Sequence, residues 1–121
     1  MVAKKRILVI EDDEQARLLM EEAFVGAGYG TVASPHLASL IGEAKSDRYD
    51  LITLDLGLLE IRGTDGADLL SQYTETPILV VSGNLDASSK RRLEREGVTD
   101  YVDKPFKMVD LLAKVERLVS R

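Results

Sequence analysis

The sequence predicts an open α/β domain, a parallel sheet with helices packed on both of its faces. Two observations carry that prediction. Short apolar runs rich in β-branched residues recur along the chain, continuous rather than alternating, as strands look when both faces of a sheet are covered. The segments between them repeat their apolar residues at helical spacing. A five-fold alternation of strand and helix implies a parallel sheet with crossover helices on both sides.

The first run is Ile7-Leu8-Val9-Ile10, ended by Glu11-Asp12-Asp13. A helical stripe of Ala16, Leu19, Met20, Ala23 and Ala27 follows, and the glycines between Gly26 and Gly30 read as a helix end and turn. Gly30-Thr31-Val32-Ala33 is a weaker strand candidate, and Leu37, Leu40, Ile41 and Ala44 form a second helical stripe. Leu51-Ile52-Thr53-Leu54 is the third strand. Thr64 or Asp65 can cap a helix over 66–73. Ile78-Leu79-Val80-Val81 is the fourth strand, and Asp86 can cap a helix over 87–96 that offers only Ala87 and Leu93 for burial. So little apolar surface predicts either a solvated edge helix or an element that is easily moved. Tyr101-Val102 is a short fifth strand. In the last helix Met108, Leu111, Leu112, Val115, Leu118 and Val119 share one face, and Lys107, Asp110, Lys114, Glu116 and Arg117 the other.

The chain of 121 residues has the size of one domain and no cysteine, so neither disulfides nor thiolate metal sites are available. It carries 21 acidic and 16 basic residues, a net charge of −5, which argues against nucleic acid as a direct partner. Lys4-Lys5-Arg6 precede only four apolar residues, too few for a secretory segment, and no stretch reaches transmembrane length. The expected setting is the cytoplasm, with no membrane contact. The last helix runs to Arg121, so residues 1–121 are expected to be one domain with no output domain among them.

Ligands in such sheets bind beyond the carboxyl ends of the strands. Glu11-Asp12-Asp13 follow the first strand, Asp55 ends the third, Ser82 the fourth, and Lys104-Pro105 follow the fifth. Any one of these could be ordinary strand-end polarity; together they form a set of complementary chemistry at one edge. Two carboxylates ~4 Å apart repel by ~4 kcal/mol at an effective dielectric near 20, so the cluster must bind protons or a cation. An all-oxygen donor set with few protein ligands favours Mg²⁺, or Mn²⁺, over zinc. Lys104 and Ser82 are suited to phosphoryl oxygens.

These residues, with the Asp100-Tyr101-Val102-Asp103-Lys104-Pro105-Phe106 stretch, resemble the receiver domain family of two-component response regulators over essentially the whole chain. The resemblance implies a flavodoxin-like (βα)5 domain of three layers, its five-stranded sheet in the order 2-1-3-4-5. It implies that Asp55 is the phospho-acceptor, that Asp12 and Asp55 contact Mg²⁺ directly, that Glu11 assists, and that the Gly57 backbone carbonyl completes the protein ligands. Lys104 and Ser82 would hold phosphoryl oxygens, and Ser82 and Tyr101 would form the switch pair. The implied donor is a sensor histidine kinase or a phosphotransfer protein. The implied route out runs through the 87–121 face to an output partner, or to a second copy of the chain. The domain would promote only its own phosphorylation and dephosphorylation and would not be an enzyme. Arg17 is read as a helix-surface cation with no catalytic role.

The resemblance breaks between 56 and 64. Leu59 stands where proline is usual, and Asp65-Gly66 arrive about three residues late, most simply through an insertion from which Glu60 or Arg62 could reach toward the site. That change favours an alternative, a pseudo-receiver that binds a partner constitutively; the full set of site residues opposes it. A haloacid-dehalogenase-type phosphatase needs an Asp where Gly57 stands, and a flavodoxin needs a first loop that welcomes phosphate. His36, after Pro35, reads as a surface histidine, and the basic run Lys90, Arg91, Arg92 and Arg95, interrupted by Glu94 and Glu96, as a solvated or partner-facing helix.

Overall fold

The computed structural model describes residues 4–36, 49–55, 75–83, 86–95 and 98–120. Strands β1 (Arg6–Ile10), β2 (Gly30–Ser34), β3 (Leu51–Asp55), β4 (Ile78–Ser82) and β5 (Asp100–Asp103) form one sheet in the order β2-β1-β3-β4-β5. Every pairing is parallel. Helix α1 (Glu14–Gly26) follows β1, α2 (Ala87–Arg95) follows β4, and α3 (Met108–Val119) follows β5. The expected strand order is therefore found. The helices expected around 37–44 and 66–73, and the 56–64 loop, lie outside the described residues.

Alternation along each strand divides the core in two. Ile7, Val9, Leu51, Leu79 and Val81 face α1 and α3, meeting Met20, Phe24, Leu111, Val115, Leu118 and Val119. Leu8, Ile10, Ile52, Leu54, Ile78 and Val80 face the other way and meet Tyr49, Leu93 and Val98. The two clusters explain why the strands read as unbroken apolar runs.

Register brings the carboxyl ends level. Ile10 pairs with both Ser34 and Leu54, Asp55 with Val81, and Ser82 with Asp103. Whatever follows each strand must emerge at the same edge.

Two packing expectations need correction. The buried residues of α1 are Met20 and Phe24, whereas Leu19 is exposed and Ala27 is an exposed cap outside the helix. Leu19 sits about 100° around the helix from Met20, which turns it off the face that Met20 and Phe24 share. In α2 only Leu93 is buried, and Ala87, in the first turn, is exposed. The end of α1 follows the expected turn chemistry. Gly28 adopts φ +97, Tyr29 N–H donates to Phe24 O and Gly28 N–H to Val25 O, a Schellman closure that favours glycine.

Candidate functional site

Glu11 sits one residue past β1 and is 1% exposed, unusual for a carboxylate. It is gripped on all sides. Its N–H donates to Ser34 O at 3.0 Å and its carbonyl accepts from Arg17 Nη1 at 3.0 Å. Its Oε2 accepts from Asp13 N–H at 3.3 Å, and its Oε1 accepts from Lys104 Nζ at 2.6 Å. The last is a short charge-assisted bond between the ends of β1 and β5.

Asp55 ends β3 and is largely buried, its Oδ2 lying 3.9 Å from Lys104 Nζ. Asp12 is exposed, yet one carboxylate oxygen from each of Glu11, Asp12 and Asp55 lies within 4.8 Å of the others. Oxygens around one Mg²⁺ at about 2.1 Å stand roughly 3 to 4 Å apart, so these three need only a small closure to share an ion. Three carboxylates against one ammonium leave the cluster short of positive charge, which suits a divalent cation. Burial pulls the Lys104 ammonium towards deprotonation. The hydrogen bond to Glu11 and the charges of Asp55, Glu11 and Asp13 outweigh it and hold the group above its ordinary value. Lys104 is therefore a cation throughout the neutral range.

Ser82, at the end of β4, is buried, and its carbonyl accepts from Lys104 N–H at 2.7 Å, fixing the residue that carries the ammonium. The Lys104-Pro105 peptide is cis. Tyr101 lies on the opposite face of β5 from Val102, against the α2-side core. Its hydroxyl donates to Glu94 Oε1 at 3.4 Å, and the Lys90 and Lys114 ammonium groups lie 5.2 and 5.9 Å from its ring centre. Gly57, Glu60 and Arg62 lie outside the described residues.

Glu11, Asp12, Asp55, Ser82 and Lys104 thus lie at one sheet edge, with Tyr101 one strand face away. Two residues have jobs that the sequence reading did not give them. Asp13 caps α1, its Oδ2 accepting from Ala16 N–H at 2.9 Å, a role its place just before a helical stripe could have signalled. Arg17, one helical turn above Asp13, reaches back to the Glu11 carbonyl. His36 is exposed, and its N–H donates to Ser34 Oγ, in keeping with a surface histidine.

The sequence matches the family described as "Response regulator receiver domain" over residues 7–116. The chain belongs to that family. Among curated proteins, this receiver domain is 31% identical over 115 residues to the transcriptional regulatory protein KdpE of Mycobacterium tuberculosis, an alignment covering 95% of this chain and 51% of that one. The chain spans about half the length of the curated relatives it matches. Among solved structures, the non-phosphorylated HemR receiver domain from Leptospira biflexa superposes with a TM-score of 0.88 at 26% identity, covering 98% of this chain and 96% of that one. The receiver domain of a sensor histidine kinase from Pseudomonas aeruginosa, solved with a magnesium ion in its active-site cleft, superposes at 0.82 with 24% identity, over 98% of this chain and 100% of that one. The fold is therefore the flavodoxin-like one expected, and the protein is a signalling domain of two-component response regulators. No described helix is long and apolar enough to cross a membrane.

Proposed function

We propose that this receiver domain accepts a phosphoryl group on Asp55 in an Mg²⁺-dependent reaction. The observation that carries the reading is the convergence of Glu11, Asp12 and Asp55 oxygens within 4.8 Å, with the Lys104 ammonium 3.9 Å from Asp55. Asp12 and Asp55 would bind the cation directly, Glu11 would support it, and the Gly57 carbonyl would be the remaining ligand. Mn²⁺ fits the same oxygen set. What the cation supplies when bound is neutralisation of charge on the phosphoryl oxygens.

The chain's own residues do the rest. An Asp55 carboxylate oxygen attacks phosphorus and forms an acyl phosphate. The bond from phosphorus to the donor's imidazole nitrogen breaks, and its electron pair leaves with the imidazole. Lys104, parked on Glu11, swings to a phosphoryl oxygen within the same pocket, and the Ser82 hydroxyl donates to another. Positioning and charge neutralisation are most of what phosphoryl transfer asks of a protein. The donor would be a sensor histidine kinase or a phosphotransfer protein in the cytoplasm. Residues 1–121 would act as one receiver unit. Ser82 and Tyr101 would pass the change to α2, β5 and α3, the face offered to an output partner or a second copy.

Intact-mass spectrometry after exposure to acetyl phosphate, with and without Mg²⁺, tests the reading on the native chain and on Asp55→Asn. One phosphoryl adduct that needs Mg²⁺ and vanishes in Asp55→Asn is expected. A folded protein that gains none would overturn the reading in favour of the alternative, a constitutive binding module.

A further inference from the structure

The turn between β1 and α1 must set two carboxylates, Glu11 and Asp12, against a third on another strand. Its two ends are anchored: Glu11 N–H by Ser34 O, and Asp13 by its cap on α1. Between those anchors, the peptide joining Glu11 to Asp12 is held by Arg17, whose Nη1 donates to the Glu11 carbonyl at 3.0 Å. Arg17 comes from a rigid element, since its own N–H makes the α1 bond to Asp13 O at 2.9 Å, and its side chain is half-buried rather than swept by solvent.

We infer that Arg17 is a positioning residue for the divalent-cation site, pinning the Glu11 carbonyl and so setting the angle between the Glu11 and Asp12 carboxylates. The inference rests on the reading that these carboxylates bind Mg²⁺. Its consequence runs against simple electrostatics. As a charge alone, a guanidinium beside a cation site repels the incoming ion, and neutralising it tightens binding. As a clamp on the turn that carries the ligands, removing it loosens binding. Partners that orient metal ligands typically change affinity 10–100-fold when removed.

The test is Mn²⁺ binding, read from the free-ion electron paramagnetic resonance signal, for the native chain, Asp55→Asn, Arg17→Met and Arg17→Lys. Amide hydrogen exchange of residues 11–13 without any metal is measured alongside. Arg17→Met keeps the apolar stem, so its dissociation constant should rise about 10-fold, with faster exchange at Asp12 and Asp13. Arg17→Lys keeps a donor and should restore most of the affinity. If Arg17→Met proves unfolded, Arg17→Gln and Arg17→Lys answer the same question. Native-like or tighter binding by a folded Arg17→Met, with binding still weakened in Asp55→Asn, overturns the clamp and leaves the metal site standing. Failure of the native chain to bind Mn²⁺ overturns both.

Discussion

Helices α2 and α3 flank the same short strand, β5, and are held by different physics. Helix α3 buries Leu111, Val115, Leu118 and Val119 against the sheet, one continuous apolar seam. Helix α2 buries Leu93 alone. Its other ties to β5 are polar: Lys90 to Asp103 at 3.4 Å, Lys90 beside the Tyr101 ring, and Glu94 to the Tyr101 hydroxyl. Half-exposed ion pairs of this kind contribute well under about 1 kcal/mol each, whereas a fully buried Leu or Val contributes about 1.5–3 kcal/mol. The domain thus keeps one wall fixed by apolar burial and leaves the adjoining one loose. Both walls touch Tyr101, α3 through Lys114 and the loose α2 through Lys90 and Glu94.

Removing one leucine from each helix should have the largest effect. Leu111→Ala should lower global stability by about 3–4 kcal/mol, since Leu111 is fully buried in the α3 seam. Leu93→Ala should reduce it by about 2 kcal/mol, at the low end for a buried leucine, because the site lies under a helix that can shift. Denaturant unfolding gives both values. Hydrogen exchange separates them further: Leu93→Ala should open amides over 87–95 while those of α3 keep their protection. Equal losses, or loss of protection in both helices, would mean that α2 is no looser than α3.

The fixed wall contains a flaw that sharpens the same contrast from the other side. Thr53, in β3, is 1% exposed, and among the described residues its hydroxyl has no hydrogen-bond partner. It alternates with Leu54 and so faces α1 and α3, between Val9 and Leu79 on the neighbouring strands. Thr53→Val keeps the shape and removes the orphaned group, so stability should rise by about 1 kcal/mol. The gain should appear in global unfolding and leave exchange in α2 unchanged. A loss of stability would show that the hydroxyl is satisfied after all.

Much of this was legible in the sequence because strands buried on both faces leave an unbroken apolar signature. β2 was the faintest of them because it is an edge strand with every residue only partly buried. Helix α1 was misread at Leu19 and at Phe24 for a physical reason: Leu19 is apolar but more than half exposed, whereas Phe24 is fully buried, so apolarity alone did not separate face from surface. At the site, strand-end logic assembled Glu11, Asp12, Asp55, Ser82 and Lys104 correctly in space. It could not divide the labour among neighbours. Asp13 looked like a fourth carboxylate and serves as a helix cap. Arg17 acts on a backbone carbonyl, which carries no side-chain signature. Lys90 and Glu94 looked like part of a solvated run, yet both reach back to β5.

The smallest effect concerns the cap that starts α2. Asp86 Oδ1 accepts from Ser89 N–H at 2.7 Å, the expected capping bond. Hydrogen bonds from the Ser89 backbone and hydroxyl, with smaller help from Ser88 and Arg91, hold its carboxyl below the usual aspartate range. A depressed native value means that the folded state binds this proton less readily than the unfolded chain does. The cap's contribution is therefore complete above the ordinary aspartate pKa of about 4 and is lost as pH falls through the lower native value. Because α2 has only Leu93 beneath it, that small loss should register locally. Exchange protection over 87–95, corrected for the intrinsic rate at each pH, should fall on acidification below about pH 4 before protection in α3 does. Asp86→Asn keeps a capping acceptor but cannot titrate, so in that variant the early loss in α2 should disappear. If Asp86→Asn loses protection in step with the native chain, the weakness of α2 in acid lies in its ties to β5 rather than in its first turn.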